Sequence, residues 1–391
     1  MESMENIVRF SPLKVPKIIT YHWNSKPKVA VNFIAEPSTV KSDGTRQAGR
    51  EIAEQEGKKF IEWNNVLLED KQRIAQNPED VFIFADVRAS ETDIGELRLQ
   101  DLKDGQEYIT FKYNILFQAL SNPKAMGILF FDEMNLAPNM IKAQFYKIIN
   151  DRAIGDIPLS DDVLCISAGN ESTHARGVSE DPVPLVLRRG NYFLRPLSHE
   201  EYDNYAVSTG HHNWITGYLA FQPQDTHNIV YDLPDSSGQP CPRTWTKLSQ
   251  VLQSNKKMAE DDIMMVATGL VGQGTAVKFT EYVRSAMEID LNAIIKNPEL
   301  IAQYEANDES VSLIYAIISG VVDKFRDDVT VLKSAFRMAL HFKRPEFGAY
   351  LMRSLKSSNE REFMKAGTNN KVIEPEIMKK VVDRYGKFLI G

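Results

Sequence analysis

Cysteine is nearly absent: two residues in 391, Cys165 and Cys241, with no C-x-x-C spacing. That argues against a disulfide framework, and both thiols read as reduced side chains of a cytoplasmic protein. The seven histidines form no metal pattern, and the adjacent His211 and His212 would point in different directions on a helix or strand. Long apolar runs are missing too. No window approaches the roughly 18 consecutive apolar residues of a membrane span, and the opening "MESMENIVRF" carries acidic residues and no apolar h-region. There is no excess of positive charge: the formal net charge is −7 and the pI is near 5.7, which argues against a general affinity for nucleic acid or anionic membranes. No helix-turn-helix, OB or zinc module stands out. Repeats and low-complexity tracts are also lacking.

What is present is an alternation of short apolar runs with helical stretches. "KVAVNFI" (28–34), "KKFIEW" (58–63), "DVFIFADV" (80–87), "GILFFDE" (127–133) and "VLCISAGN" (163–170) have the length and composition of buried parallel strands. "SDGTRQAGREIAEQEG", "KYNILFQALSN" and "PNMIKAQFYKIINDR" read as helices, and "RASETDIGELRLQDLKDGQEYITF" as a loop with a small hairpin or insertion. From about residue 198 the pattern turns helical and stays so to the end. The fold class expected is α/β, a parallel sheet sandwiched by helices followed by an all-helical region. In such sheets ligands sit at the carboxyl ends of the strands, where the polar residues of this sequence fall.

Asp132 and Glu133 end the most apolar strand. Adjacent strand residues point to opposite sides, which suits a division of labour: Asp132 helping to hold a hydrated Mg²⁺, Glu133 polarising an attacking water. Asn170 ends another buried strand, where it could position that water. Arg188 and Arg189 follow the apolar "VPLVL", and an arginine projected into a neighbouring subunit's γ-phosphate site would neutralise charge in the transition state. Taken singly, a strand-end Asn also caps turns and an Arg pair is often a solvated face.

In their order, strand–"KS"–helix, strand–"DE", strand–"AGN", "RR" and then a helical region bearing "PRTW", these elements resemble an AAA+ ATPase, more narrowly the MoxR branch. The segment "DEMNLAPNMIKAQFYKIINDRAIGDIPLSDDVLCISAGN" is similar to that family's Walker B to sensor 1 region nearly throughout, and the resemblance covers roughly residues 28–290. It implies an AAA+ nucleotide-binding core over 1–197, a helical lid over 198–295 and a C-terminal helical region over 296–391. It implies Lys41 and Ser42 as the Walker A lysine and Mg²⁺-ligand hydroxyl, Asp132 and Glu133 as the Walker B pair and Asn170 as sensor 1. Arg189 becomes the preferred arginine finger with Arg188 as the alternative, and Arg243 becomes sensor 2. ATP and Mg²⁺ are the implied cofactors. A homo-oligomeric, hexameric ring acting on a protein client, often in that family with a partner containing a von Willebrand factor A domain, is the implied assembly.

The loop over Ala35, Glu36, Pro37, Ser38, Thr39, Val40, Lys41, Ser42 and Asp43 departs from that pattern. A P-loop needs glycines because its backbone N–H groups turn inward around phosphates, placing some residues at positive φ and leaving no room for side chains. No glycine precedes Gly44. Ala35 and Val40 replace the two glycines of the motif, and Ser38 a third. Either the loop takes another path and ATP binds weakly or not at all, or phosphate affinity survives through Lys41, the helix N-terminus near Ser42, and Arg243. An impaired rather than abolished site is expected. The glycine-rich "GLVGQGTA" (269–276) has no lysine after it and no strand before it, and reads as a helix–helix turn.

Overall fold

The computed structural model describes residues 7–36, 39, 41–88, 97–103, 106–112, 114–137, 139–154, 157–171, 181–231, 237–305, 310–368 and 372–389. It divides into two compact units, Met1–Pro196 and Leu197–Gly391.

In the first unit the strands are β1 (Arg9–Phe10), β2 (Val31–Ala35), β3 (Lys59–Glu62), β4 (Val81–Arg88), β5 (Leu97–Lys103), β6 (Gln106–Lys112), β7 (Met126–Asp132), β8 (Ala153–Ile154), β9 (Ile157–Pro158), β10 (Val163–Asn170) and β11 (Gly190–Leu194). The helices are α1 (Val15–Trp23), α2 (Lys41–Gln55), α3 (Leu68–Gln76), α4 (Ile115–Leu120), α5 (Asn139–Asp151) and the single turn α6 (Val183–Val186). Seven strands form one sheet in the order β1-β11-β2-β10-β7-β4-β3, every neighbouring pair parallel. The expected insertion between β4 and α4 contains the antiparallel hairpin β5–β6.

The central strands are apolar on both faces because helices cover both. Along β7, Ile128 and Phe130 enter a core with Ala48, Ile52 and Ala53 of α2, whereas Leu129 and Phe131 enter a second core with Phe145, Ile148 and Ile149 of α5. Strand alternation thus splits one apolar run between two layers. Register then fixes the polar ends: Asn170 lies beside Ala35, and Asp132 beside Arg88, so β2, β10, β7 and β4 deliver their last residues to one edge.

The second unit is helical among its described residues. Its core is a stripe of Ile314, Ile317, Ile318 and Val321 on helix Val311–Asp327, at helical spacing, packed with Leu332 and Phe336, Leu351 and Leu355, and Tyr385. The segment 269–276 is a helix–helix turn: Gly272, at φ 82°, separates helices Glu260–Val271 and Gln273–Met287. Both cysteines are free and buried. Among the described residues no helix is long and apolar enough to cross a membrane.

One buried carboxyl makes the second unit sensitive to pH. Asp203 accepts a hydrogen bond from the Tyr350 hydroxyl at 3.1 Å, while its other oxygen faces Arg353 at 3.6 Å without a hydrogen bond. Burial pushes its pKa up to about 6 against the partly offsetting Arg353 charge. A raised carboxyl pKa means that the folded state holds a proton the unfolded state has lost. Stability is therefore full below the ordinary value of 3.8 and falls as pH rises through about 6, a loss of about 3 kcal/mol. Asp203→Asn is expected to flatten that fall in urea unfolding curves between acidic and neutral pH; an unchanged pH dependence would refute the assignment.

Candidate functional site

The site grows from the carboxyl ends of β2, β10 and β7. Chain leaving β2 at Ala35 passes Glu36 and Thr39, whose hydroxyl donates to the Glu36 carbonyl at 2.7 Å, before α2 begins at Lys41. Pro37, Ser38 and Val40 lie outside the described residues, so the loop glycine replacements are seen only at Ala35. Lys41 is buried, at 8% exposure. Its ammonium reaches the carbonyls of Ala35 (3.3 Å), Glu36 (3.4 Å) and Gly169 (3.2 Å) and Oδ1 of Asn170 (3.1 Å). Three N–H donors are thus shared among four oxygens of the chain itself.

Ser42 donates its hydroxyl to Asp132 Oδ2 at 2.8 Å, and the Glu133 N–H donates to Asp132 Oδ1 at 2.9 Å. Asp43, in the first turn of α2, is exposed and pairs with Arg46 at 3.2 Å, a favourable place for an acid at a helix N-terminus. Arg46 also meets Asp86 at 3.4 Å and Glu62 at 3.3 Å. Burial, and then the negative charge of Asp132, raise the Asp86 pKa. Asp86 and Asp132 thus bring negative charge together near the ends of β4 and β7, with Arg46 and Arg88 offsetting part of it. A hydroxyl and a carboxylate at hydrogen-bond distance, backed by that charge, fit a hydrated Mg²⁺ held by few protein ligands. Among the described residues no group of three His, Cys, Asp or Glu forms a metal site by itself.

Two sequence expectations are corrected here. Strand β7 ends at Asp132, and Glu133 adopts a left-handed backbone, φ 54° and ψ 32°, at the start of the 3₁₀ turn Met134–Leu136. The separation of the two carboxylates thus comes from a backbone reversal rather than from strand alternation. Its carboxylate bonds to no described residue and is half-buried. The second correction concerns the arginines. Arg189 is 6% exposed and faces inward: its guanidinium donates to Asn191 Oδ1 (3.1 Å) and Ser167 Oγ (3.2 Å) and pairs with Asp181. Asp181 also accepts from the Tyr146 hydroxyl at 3.3 Å, and burial pushes that phenol up to about 12. Such an arginine cannot also extend outward. Arg188, one residue earlier, is exposed beside the equally exposed Val183 and Leu187.

Arg243 is the second residue of helix Pro242–Ser254, exposed, in the second unit. Asn170 sits where it was expected, but what holds it was not foreseen. Asn135, two residues beyond Glu133, accepts from the Asn170 N–H at 3.1 Å and donates to its carbonyl. The buried Lys142 donates to the Asn135 carbonyl at 3.0 Å. The only sequence signal for Asn135 is its place just past a strand-end acidic pair.

No protein-family model matches the sequence, and none of the curated proteins does. Solved structures with a similar chain path include Thermotoga maritima RuvB, a Holliday junction branch migration motor, at 13% identity over 72% of this chain and 79% of that chain, TM-score 0.27. A DNA replication initiation factor is similar at 13% identity over 98% of both chains, TM-score 0.29. The Aeropyrum pernix ORC2 protein, in ADPNP–ADP complexes, is similar at 8% identity over 97% of this chain and 96% of that one, TM-score 0.29. At these identities and TM-scores the likenesses carry no argument about what this chain does.

Proposed function

We propose that this chain is an AAA+ ATPase of the MoxR type, which binds ATP·Mg between copies of itself in a hexameric ring and uses hydrolysis to remodel a protein partner. One observation carries the reading: Lys41, Ser42, Asp132 and Asn170 are linked by hydrogen bonds at the carboxyl ends of adjacent parallel strands, with Glu133 beside them. Ser42 and Asp132 would hold Mg²⁺, which supplies charge neutralisation at the phosphates. Lys41 binds the phosphates, Glu133 draws a proton from water, Asn170 orients that water, and Arg188 reaches a neighbouring copy's site. Arg243 is the sensor in a lid formed by residues 198–295. A client presented by a von Willebrand factor A domain partner fits the same reading.

The Lys41 environment favours a second reading, a non-hydrolysing ring-forming scaffold. Its ammonium is already satisfied by the chain, so phosphate must displace contacts within the protein rather than water alone. Replacing Ala35, Ser38 and Val40 together by glycine separates the two. Restoring the glycines that a phosphate-wrapping loop requires, worth about 1–3 kcal/mol, is expected to tighten ATP·Mg binding by roughly 5- to 150-fold in calorimetric titration. If neither the parent nor the triple variant binds ATP·Mg, the scaffold reading stands.

A further inference from the structure

We infer that Asn135 is a positioning residue of this site: its carboxamide stands in for a missing strand beside Asn170 and thereby sets the Asn170 side chain against Lys41. The inference rests on reading Lys41 and Asn170 as nucleotide-site residues.

Strand β10 runs further than β7 does. Its pairing with β7 extends from Val163 beside Gly127 to Ser167 beside Phe131, and β7 stops at Asp132. On the other edge β10 continues along β2 to Asn170 beside Ala35, and the Glu171 N–H still donates to the Ala35 carbonyl at 3.2 Å. Successive strand residues direct their backbone groups to opposite edges. The N–H and C=O of Asn170 therefore face the β7 side, beyond the point where β7 ends. Partly buried backbone groups left there without partners would destabilise the strand end.

The left-handed turn at Glu133 and the 3₁₀ turn after it bring Asn135 back to that edge. Its Oδ1 accepts from the Asn170 N–H and its Nδ2 donates to the Asn170 C=O, so one carboxamide supplies the acceptor and donor that a continuing parallel strand would have offered from its backbone. Gly169 makes the approach possible, since a Cβ there would lie 2.8 Å from both Cγ and Oδ1 of Asn135. Lys142, 2% exposed, fixes the turn from behind through the Asn135 carbonyl. With its backbone held on both edges, Asn170 presents Oδ1 to Lys41 Nζ at 3.1 Å.

Amide hydrogen exchange of the full chain without nucleotide tests the clamp directly. Asn135→Ala is expected to speed exchange at Asn170 by roughly tenfold while Leu164 and Ile166, inside the same strand, are unchanged. Asn135→Asp, which keeps the acceptor for the Asn170 N–H, retains most of the protection and serves if the alanine variant does not fold. Gly169→Ala displaces an intact Asn135 and is expected to copy the alanine variant. In ATP turnover, Asn135→Ala lowers kcat with KM changed less than about twofold, and adds nothing in an Asn170→Ala background. Unaltered exchange at Asn170 in every variant, or independent multiplication of the two alanine effects, overturns the inference. A parent protein that binds no ATP removes the proposed function instead, and the exchange measurement still decides the role of Asn135.

Discussion

Glu133→Gln is expected to lower ATP turnover by about 10²- to 10⁴-fold while leaving ATP·Mg affinity nearly unchanged. The amide keeps the shape of the side chain and removes the base. Neither Lys41 nor the Ser42–Asp132 pair touches the Glu133 carboxylate, so phosphate and cation binding should survive. Steady-state phosphate release and a nucleotide-induced shift in melting temperature read the two effects separately. Turnover at background in the parent and unaltered in the variant would end the ATPase proposal.

The second large effect distinguishes two neighbouring arginines. Arg188→Ala is expected to cost about 10³-fold in turnover without loss of thermal stability, as removal of a charge delivered to another copy's phosphates should. Arg189→Ala is expected to behave in the opposite manner. It strips the cation from half-buried Asp181 and the donors from Ser167 and Asn191, a loss of about 1–3 kcal/mol that appears first as a lower melting temperature. If Arg188 acts on a neighbouring copy, as proposed, mixing Arg188→Ala with Glu133→Gln subunits rebuilds some complete sites, each with Glu133 from the first variant and Arg188 from the second. The mixture should therefore be more active than either variant alone. No recovery on mixing would remove Arg188 from the site.

The strands that carry the site were legible because burial on both faces leaves a continuous apolar run: "VFIFADV", "ILFFD" and "VLCISAGN" can hardly be anything else. Elements at the margins were not. Helix α3 buries Ile74 alone, so "LEDKQRIAQ" shows no apolar stripe, and β11 is only partly buried along "GNYFL". Short β1 and helix α1 before residue 28 carried no distinct signal either. Residue types and order singled out Lys41, Ser42, Asp132, Glu133 and Asn170, and the structure places Lys41 against Asn170, Ser42 against Asp132, and Glu133 next along the chain. Direction was what the order could not convey. Arg188 and Arg189 are equivalent as letters and separate only when one meets Asp181, Ser167 and Asn191 in the interior. The αL conformation of Glu133 was likewise hidden, since nothing in "FFDEMN" marks a left-handed residue where glycine would be usual.

That conformation ties upkeep of the site to a standing handicap in the fold. A side chain at φ 54° is disfavoured against glycine by about 1 kcal/mol, so a lineage released from hydrolysis would gain stability by exchanging Glu133 for glycine. Under the proposed function, a loop without glycines before Lys41 and a strained Glu133 pull in opposite directions. The first would weaken the grip on phosphate, and the second would keep, at the expense of folding, a carboxylate for the attacking water.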